Sequence, residues 1–261
     1  MTDATTKYTY GALTDRGDIK PINQDSILCR SRNDLGMECG LFLVADGMGG
    51  LNFGEYVSRF ITLQFERWWE QDLPQMMLAG RTSSADIEEL LEQEIWDINQ
   101  AILCFRKQFQ CKAGSTLALL LLIGSQYYVK NLGDSRVYLL RNGELSQLSL
   151  DQSLTAQLVR ENKLTPEQAR VSGQKSVLTM CIGMFDVPQS YSYTGTCENG
   201  DCYLICSDGV FNVLQDCDIA EILSNENLTA GERAELMREK IAPGQAGDNI
   251  SIIVVSVQKQ S

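Results

Sequence analysis

The sequence predicts an α+β fold: a four-layer αββα sandwich of two mostly antiparallel sheets flanked by helix pairs. Three observations lead there. Strand-like segments come in groups instead of alternating one by one with helices, which disfavours a doubly wound parallel sheet. Amphipathic helices separate those groups, and a pair of them can cover one sheet face. Consecutive strands lie close enough for hairpins, and Asn142-Gly143 between two of them is a two-residue turn whose residues both tolerate positive φ.

The elements follow in order. Tyr8 to Leu13, Ser26 to Arg30 and Cys39 to Ala45 are rich in aliphatic and aromatic residues and read as strands. A helix is predicted over Glu55 to Glu70, with Val57, Phe60, Ile61, Leu63 and Phe65 on its apolar side. A second spans about residues 85–109, with Ile87, Leu90, Leu91, Ile95, Ile98 and Ile102 at helical spacing. Both stripes have the composition of core. Strands then run over Thr116 to Ile123, Gln126 to Asn131, Arg136 to Arg141 and Glu144 to Leu148. Residues 153–170 read as two short helices, with Thr165 as a cap and Pro166 in the first turn after it. Strands recur at Ser190 to Thr196 and Cys202 to Cys206, and helices at Asp218 to Ser224 and Ala230 to Ile241. Ile250 to Val257 closes the chain as a buried strand. No linker, repeat or low-complexity stretch divides the sequence, so residues 1–261 are expected to form one domain.

Composition removes several kinds of chemistry. The 261 residues carry 22 basic and 34 acidic side chains, a net charge of −12, so nucleic acid and anionic membranes are poor partners. Clustered carboxylates in such a chain would call for divalent cations. The N-terminus lacks an apolar signal core, and the longest aliphatic run, Leu117 to Ile123, is too short to span a bilayer, so the expected compartment is the cytoplasm. Nine cysteines without a CxxC pair are expected to be reduced thiols. Histidine is absent altogether, which excludes Ser-His-Asp hydrolysis, HExxH zinc sites and phosphohistidine intermediates. No cysteine is followed by arginine six positions later, and there is no GxxxxGK[ST] loop.

Acids stand where apolar strands end. Leu41 to Ala45 runs into Asp46-Gly47, Tyr203 to Ser207 runs into Asp208-Gly209, and Asp248-Asn249 directly precedes Ile250 to Val255. Each Asp-Gly alone reads as a turn. The repetition is what points to chemistry: a carboxylate abutting a buried strand is held rigidly, a following glycine lets the backbone approach a ligand, and hard cations want such oxygen ligands. Asp134, in Leu132 to Arg136, is a further acid between two strands.

Asp15-Arg16-Gly17 through Asn23-Gln24-Asp25, Val44 to Gly50, Gly114-Ser115-Thr116, Gly133 to Arg136, Cys206 to Gly209 and Gly247-Asp248-Asn249 resemble, in order, the motifs of the type 2C metal-dependent protein phosphatases (PPM), including their bacterial Ser/Thr members. The resemblance implies a β-sandwich flanked by helix pairs and two Mg2+ or Mn2+ ions in a cleft at one end. It implies that Asp46 bridges both ions, that Gly47 offers its carbonyl to one, that Asp208 and Asp248 complete the other site, and that Asp134 helps hold a weaker third ion. Asp25 would support the ligands from behind. The implied activity is hydrolysis of phosphoserine and phosphothreonine by a water bridging two cations, without a covalent intermediate. Residues 151–183 resemble the family's variable flap beside the cleft, a mobile segment placed to select substrate. Phosphoproteins are the implied substrates, and a cognate Ser/Thr kinase the natural counterpart.

Three positions depart from the motifs. Gln24 replaces a glutamate that serves the second ion through water, so that ion is expected to bind more weakly. Lys20 stands where an arginine often binds the substrate phosphate; it supplies charge without a bidentate fork, and Arg16 is a second cation nearby. Gln152 replaces a histidine in Asp151-Gln152-Ser153. These departures leave open a pseudophosphatase of the same fold that acts as a phosphoprotein-binding or regulatory module. A two-metal nuclease is disfavoured by the acidity and the lack of a basic patch.

Overall fold

A computed structural model describes residues 5–34, 36–48, 53–241, 244 and 247–260. Two five-stranded sheets face each other. One contains β1 (Thr5–Asp15), β10 (Ile250–Gln260), β9 (Cys202–Cys206), β6 (Arg136–Arg141) and β7 (Glu144–Gln147), in that order across the sheet. The other contains β2 (Asp25–Asp34), β3 (Met37–Asp46), β4 (Leu117–Ile123), β5 (Gln126–Leu132) and β8 (Tyr191–Thr196). Every strand pairing is antiparallel, as the predicted α+β sandwich requires. Thr5 pairs with Gln260 and Asp15 with Ile250, so the two ends of the described chain build adjacent strands.

Residue alternation explains why β3 and β4 read as unbroken apolar runs. On β3, Phe42 and Val44 point inward with Leu120 and Val129, against Val137, Tyr203, Ile205, Ile253 and Val255 of the opposite sheet. Leu41 and Leu43 point the other way, with Leu119 and Leu121, beneath Ile61, Phe65 and Trp68 of α1 (Gly54–Glu70) and Ile95 and Ile98 of α3 (Ser84–Phe109). A strand covered on both faces has no polar face to alternate with. The first sheet is covered in the same way, with Leu204, Ile252 and Val254 under Ile219 of α7 (Asp216–Leu223) and Met237 of α8 (Ala230–Lys240). Each large side chain so buried contributes about 1.5–3 kcal/mol relative to exposure.

Local signals act as their chemistry dictates. Asn142 and Gly143 take φ of 52° and 81° between β6 and β7, the left-handed pair that a two-residue hairpin needs. Thr165 and Gln168 form a reciprocal capping box at the start of α5 (Pro166–Arg170), which follows α4 (Leu154–Arg160). All nine cysteines are free thiols.

Three features differ from expectation. A helix α2 (Asp72–Leu78) follows α1, with Pro74 in its first turn, where a missing N–H costs nothing. A one-turn helix α6 (Asp208–Phe211) begins at Asp208, so that Asp-Gly opens a helix instead of forming a turn. β5 and β6 are not a hairpin but belong to different sheets. Gly133, at φ 94°, packs so closely on Thr116 that a Cβ would lie 2.6 Å from its methyl carbon. The Asn131 amide also donates to the Ser135 carbonyl at 2.9 Å, turning the chain from one sheet to the other with Asp134 at the corner.

Candidate active site

Antiparallel pairing gathers the acids. Asp25 opens β2 and lies directly opposite Asp46, which closes β3. Asp208 follows β9, Asp248 precedes β10, and Asp134 sits at the crossing between sheets, so all five reach one end of the sandwich. Gly47 follows Asp46 on that end and bridges Ser115. Gly49 and Gly50 of the same motif lie outside the described residues.

The motif residues around each acid hold its backbone. The Asp46 amide donates to the Thr116 hydroxyl at 2.9 Å, and the Asp46 carbonyl accepts from the Thr116 amide and the Ser115 hydroxyl, both at 2.9 Å. Thr116 and Ser135 share a hydroxyl–hydroxyl bond of 2.7 Å. Glycine at 47 and 209 is a matter of space: a Cβ at Gly47 would lie 2.3 Å from the Gly54 carbonyl oxygen, and one at Gly209 would lie 2.1 Å from that of Asn249. Asn249 ties the first motif to the last. Its side-chain oxygen accepts from the Gln24 amide at 2.9 Å, and its side-chain nitrogen donates to the carbonyls of Arg16 at 2.7 Å and Ile22 at 3.1 Å.

Asp25 is buried and accepts from the hydroxyls of Ser207 at 2.8 Å and Ser251 at 2.7 Å. Asp208 is also buried and accepts from the Asn212 amide at 2.9 Å. One carboxylate oxygen of each, Oδ1, is buried without a hydrogen-bond partner. Burial is the main force on these groups. It pushes the Asp208 carboxyl up to about 7, helped by Asp248 and Asp25, and the Asp25 carboxyl up to about 6 against the pull of the two serines. Burial, then the charges of Asp25, Asp208, Asp134 and Asp248, hold Asp46 well above the usual carboxylate range. Burial, with Asp208 and Asp151 behind it, does the same to Asp134.

Lys20 is the cation nearest this group, its ammonium 2.8 and 2.9 Å from the two oxygens of Asp248. Burial depresses the Lys20 pKa, but the hydrogen bond and charge of Asp248, with Asp208 and Asp46 beyond, outweigh it and raise the pKa overall. Arg16 lies on the same loop with its side chain exposed. Among the described residues no three acidic or thiol side chains already surround one point closely enough to cage an ion. The donor set still fits hard divalent cations: oxygen ligands alone, one of them, Asp208, buried with an orphaned oxygen, in a cluster whose members disfavour one another's charge.

Two of the departures have structural partners. The Gln24 side-chain amide donates to Glu55 at 3.3 Å, so a carboxylate stands beside the position that lost one. Gln152 is a clamp: its side chain accepts from the Gly133 amide at 3.0 Å and donates to the Gln189 carbonyl at 2.8 Å, tying the turn that carries Asp134 to the chain just before β8. Sequence reasoning missed Glu55 and Ser251, and it quoted Asn249 and Ser207 within motifs without giving them a role. Glu55 passes for an ordinary acid at a helix start, and the serines meet Asp25 from 182 and 226 positions away.

Beside Asp134 and Asp208 opens a cavity of about 480 Å3, walled by α4, α5, Lys175 and Phe211. Arg136 donates to both oxygens of Asp151 at 2.6–3.1 Å and stacks on Phe211 at 3.7 Å, fixing the chain at Asp151 against α6.

Known proteins resemble this chain in sequence and in fold. The Streptococcus pneumoniae protein phosphatase PhpP is 30% identical over 251 residues, 95% of this chain and 97% of that protein. The Listeria innocua serine/threonine phosphatase stp is 28% identical over 244 residues, 93% of each chain. Among solved structures, the S. agalactiae serine/threonine phosphatase superposes with a TM-score of 0.84 at 28% identity, covering 96% of this chain and 99% of its own. The catalytic domain of the serine/threonine protein phosphatase PstP in complex with two manganese ions superposes at 0.82 and 28% identity, covering 98% and 100%. The protein phosphatase 2C profile matches residues 20–242, a span that begins at the lysine beside Asp248 and includes all of α8, and the chain belongs to that family.

Proposed function

We propose that this protein serine/threonine phosphatase works at the carboxylate end of its sandwich, with Asp46, Gly47, Asp208 and Asp248 holding two Mn2+ or Mg2+ ions and Asp134 a weaker third. The observation that carries this reading is the convergence of five aspartates at one end, three of them buried and each without a neighbouring arginine partner in the ion pairs of the described residues. Bound divalent cations would supply the charge that makes a water nucleophilic at neutral pH and offsets the phosphoryl oxygens. The chain's own groups do the rest. Asp25 lies across the β2–β3 pairing from Asp46, Asn212 donates to Asp208, and Thr116 and Ser115 hold the Asp46 backbone. Lys20 is placed to meet a phosphate once it leaves Asp248, and Arg16 adds a second positive charge on the same loop.

Residues 1–261 act, on this reading, as one phosphatase domain with residues 151–183 as its flap. Phosphorylated proteins are the substrates, and a cytoplasmic Ser/Thr kinase system is the proposed counterpart. No helix among the described residues is long and apolar enough to cross a membrane. No observation favours the pseudophosphatase: the metal-facing aspartates are all present, and Gln152 serves the fold. The test is Mn2+-dependent dephosphorylation of a phosphothreonine peptide by the wild type and by Asp208→Ala. Turnover that survives that substitution, or that is absent at millimolar Mn2+ with the fold intact, refutes the assignment.

A further inference from the structure

The cavity beside Asp134 and Asp208 gathers several cations of this acidic chain. Four cations line it: Arg136, Arg160, Arg170 and Lys175. Arg136 is neutralised by Asp151. The other three have no carboxylate partner among the described residues. Arg160 donates to the Asp151 backbone carbonyl at 2.9 Å. Arg170 donates to the side chain of Gln215 and the carbonyls of Phe211 and Leu214 at 2.7–3.0 Å. Lys175 lines the cavity from the flap, and its ammonium has no hydrogen-bonded partner among the described residues. The acids on the wall divide by position: Asp134 and Asp208 belong to the proposed ion site at the inner end, Asp151 is consumed by Arg136, and Asp216 is left on the rim. With Asp134 and Asp208 committed to cations, the outer part of the cavity is a positive pocket in a chain of net charge −12.

We propose that this pocket is a substrate subsite that takes the carboxylate of an aspartate or glutamate lying two or three residues from the phosphoserine or phosphothreonine, with Lys175 and Arg160 as its specificity-determining residues. The inference rests on the proposed phosphatase site and deepens it. The cavity volume corresponds to a width of ~8 Å, which an extended chain at about 3.3 Å per residue crosses in two or three residues. A phosphoryl group held at Asp208 therefore leaves the second or third neighbouring side chain within the cationic part. Arg170 is unsuited to be the main contact, because its guanidinium already ties α5 to the segment 211–215 next to Asp208.

The experiment compares Mn2+-loaded wild type, Lys175→Glu and Arg160→Ala on a set of phosphothreonine peptides. Glutamate, glutamine or phosphoserine is placed two or three residues to either side of the phosphothreonine, with p-nitrophenyl phosphate as a substrate too small to reach the pocket. The wild type is expected to favour glutamate over glutamine about two- to fivefold in kcat/KM on one side of the phosphothreonine. Lys175→Glu should abolish or invert that preference, Arg160→Ala should reduce it, and both should keep wild-type turnover of p-nitrophenyl phosphate. A preference for phosphoserine without one for glutamate would overturn the carboxylate assignment. Equal kcat/KM for glutamate and glutamine in the wild type, or variants that slow every substrate alike, would overturn the subsite while leaving the phosphatase reading intact. No turnover of any substrate by the wild type would overturn both.

Discussion

Replacing Asp208 with asparagine should make the metal-free protein more stable at pH 8 and remove most of its stabilisation by Mn2+. The Asp208 carboxyl rises from 3.8 to about 7 in the fold, chiefly through burial and then through Asp248 and Asp25. A raised acid pKa means the folded state holds its proton longer than the unfolded chain. Stability therefore falls as pH climbs from about 4 to about 7 and levels off above that. At about 1.4 kcal/mol per pH unit the full penalty is ~4 kcal/mol, and its sharing with Asp25 reduces the part Asp208 alone can return to on the order of 3 kcal/mol. Asparagine keeps an oxygen for the Asn212 amide and loses the charge. Unfolding entropy of about 2.1 cal/mol/K per residue over 261 residues converts ~3 kcal/mol into a rise in Tm of about 5 °C. The assay is calorimetry of both proteins in chelator and in millimolar Mn2+, at pH 5 and pH 8. In chelator the variant should lead by that margin at pH 8 and by less than half of it at pH 5, and Mn2+ should stabilise the wild type far more than the variant. A variant no more stable than wild type at pH 8 in chelator, or equally stabilised by Mn2+, would refute the reasoning.

Three further outcomes are expected. Gly11→Ala would place a Cβ 2.2 Å from the Gly231 backbone, forcing α8 off β1 and costing about 1–3 kcal/mol in a urea melt; an unchanged midpoint would contradict that packing. Glu94, buried on α3, has its carboxyl pushed up to about 7 by burial, so its charged form opposes folding as pH rises from about 4.5 to 7. Glu94→Gln should raise the urea midpoint at pH 8 and leave it nearly unchanged at pH 4.5, and an equal effect at both values would contradict the assignment. Gln152→Ala frees the Gly133 amide and the Gln189 carbonyl, two bonds of about 0.5–1.5 kcal/mol each, and should speed proteolytic cleavage within 151–189 by roughly tenfold, located by mass spectrometry; unaltered cleavage would mean that Gln152 does not anchor the flap.

Much of the sandwich was legible because burial on both faces leaves a plain mark, as in Leu41 to Val44 and Leu117 to Ile123, where no polar alternation survives. The acids were legible for a related reason, since each abuts one of those runs. The crossing at Gly133 was not, because a left-handed glycine between two strands fits a hairpin as well as a change of sheet; only contact with Thr116, far away in sequence, decides. The groups that support the aspartates were hidden for the same cause. Ser207, Ser251 and Asn249 have no spacing relative to Asp25 or Gln24 that a local pattern could carry.

Those hidden groups also explain why the carboxylate end should need ions. The fold could have neutralised its acids with arginines, as it does at Asp151 with Arg136 and at Asp201 with Arg141. Around Asp25 and Asp208 it instead supplies hydroxyls and an amide, which orient a carboxylate without cancelling its charge, and at Asp46 it fixes the backbone. Lys20 is the one close cation bonded to this set among the described residues, and it reaches only Asp248. Orientation without neutralisation is costly in a closed protein, since each buried charge raises the cost of the next. It becomes favourable once divalent cations are bound, because ligands already aimed lose little freedom on binding. On the proposed assignment of Asp248 as a metal ligand, Lys20 would exchange Asp248 for another anion, such as the phosphate of a substrate. Lys20→Met should accordingly tighten Mn2+ binding by titration calorimetry while raising KM for a phosphopeptide, and unchanged Mn2+ affinity would show that the lysine does not compete with the ion for Asp248.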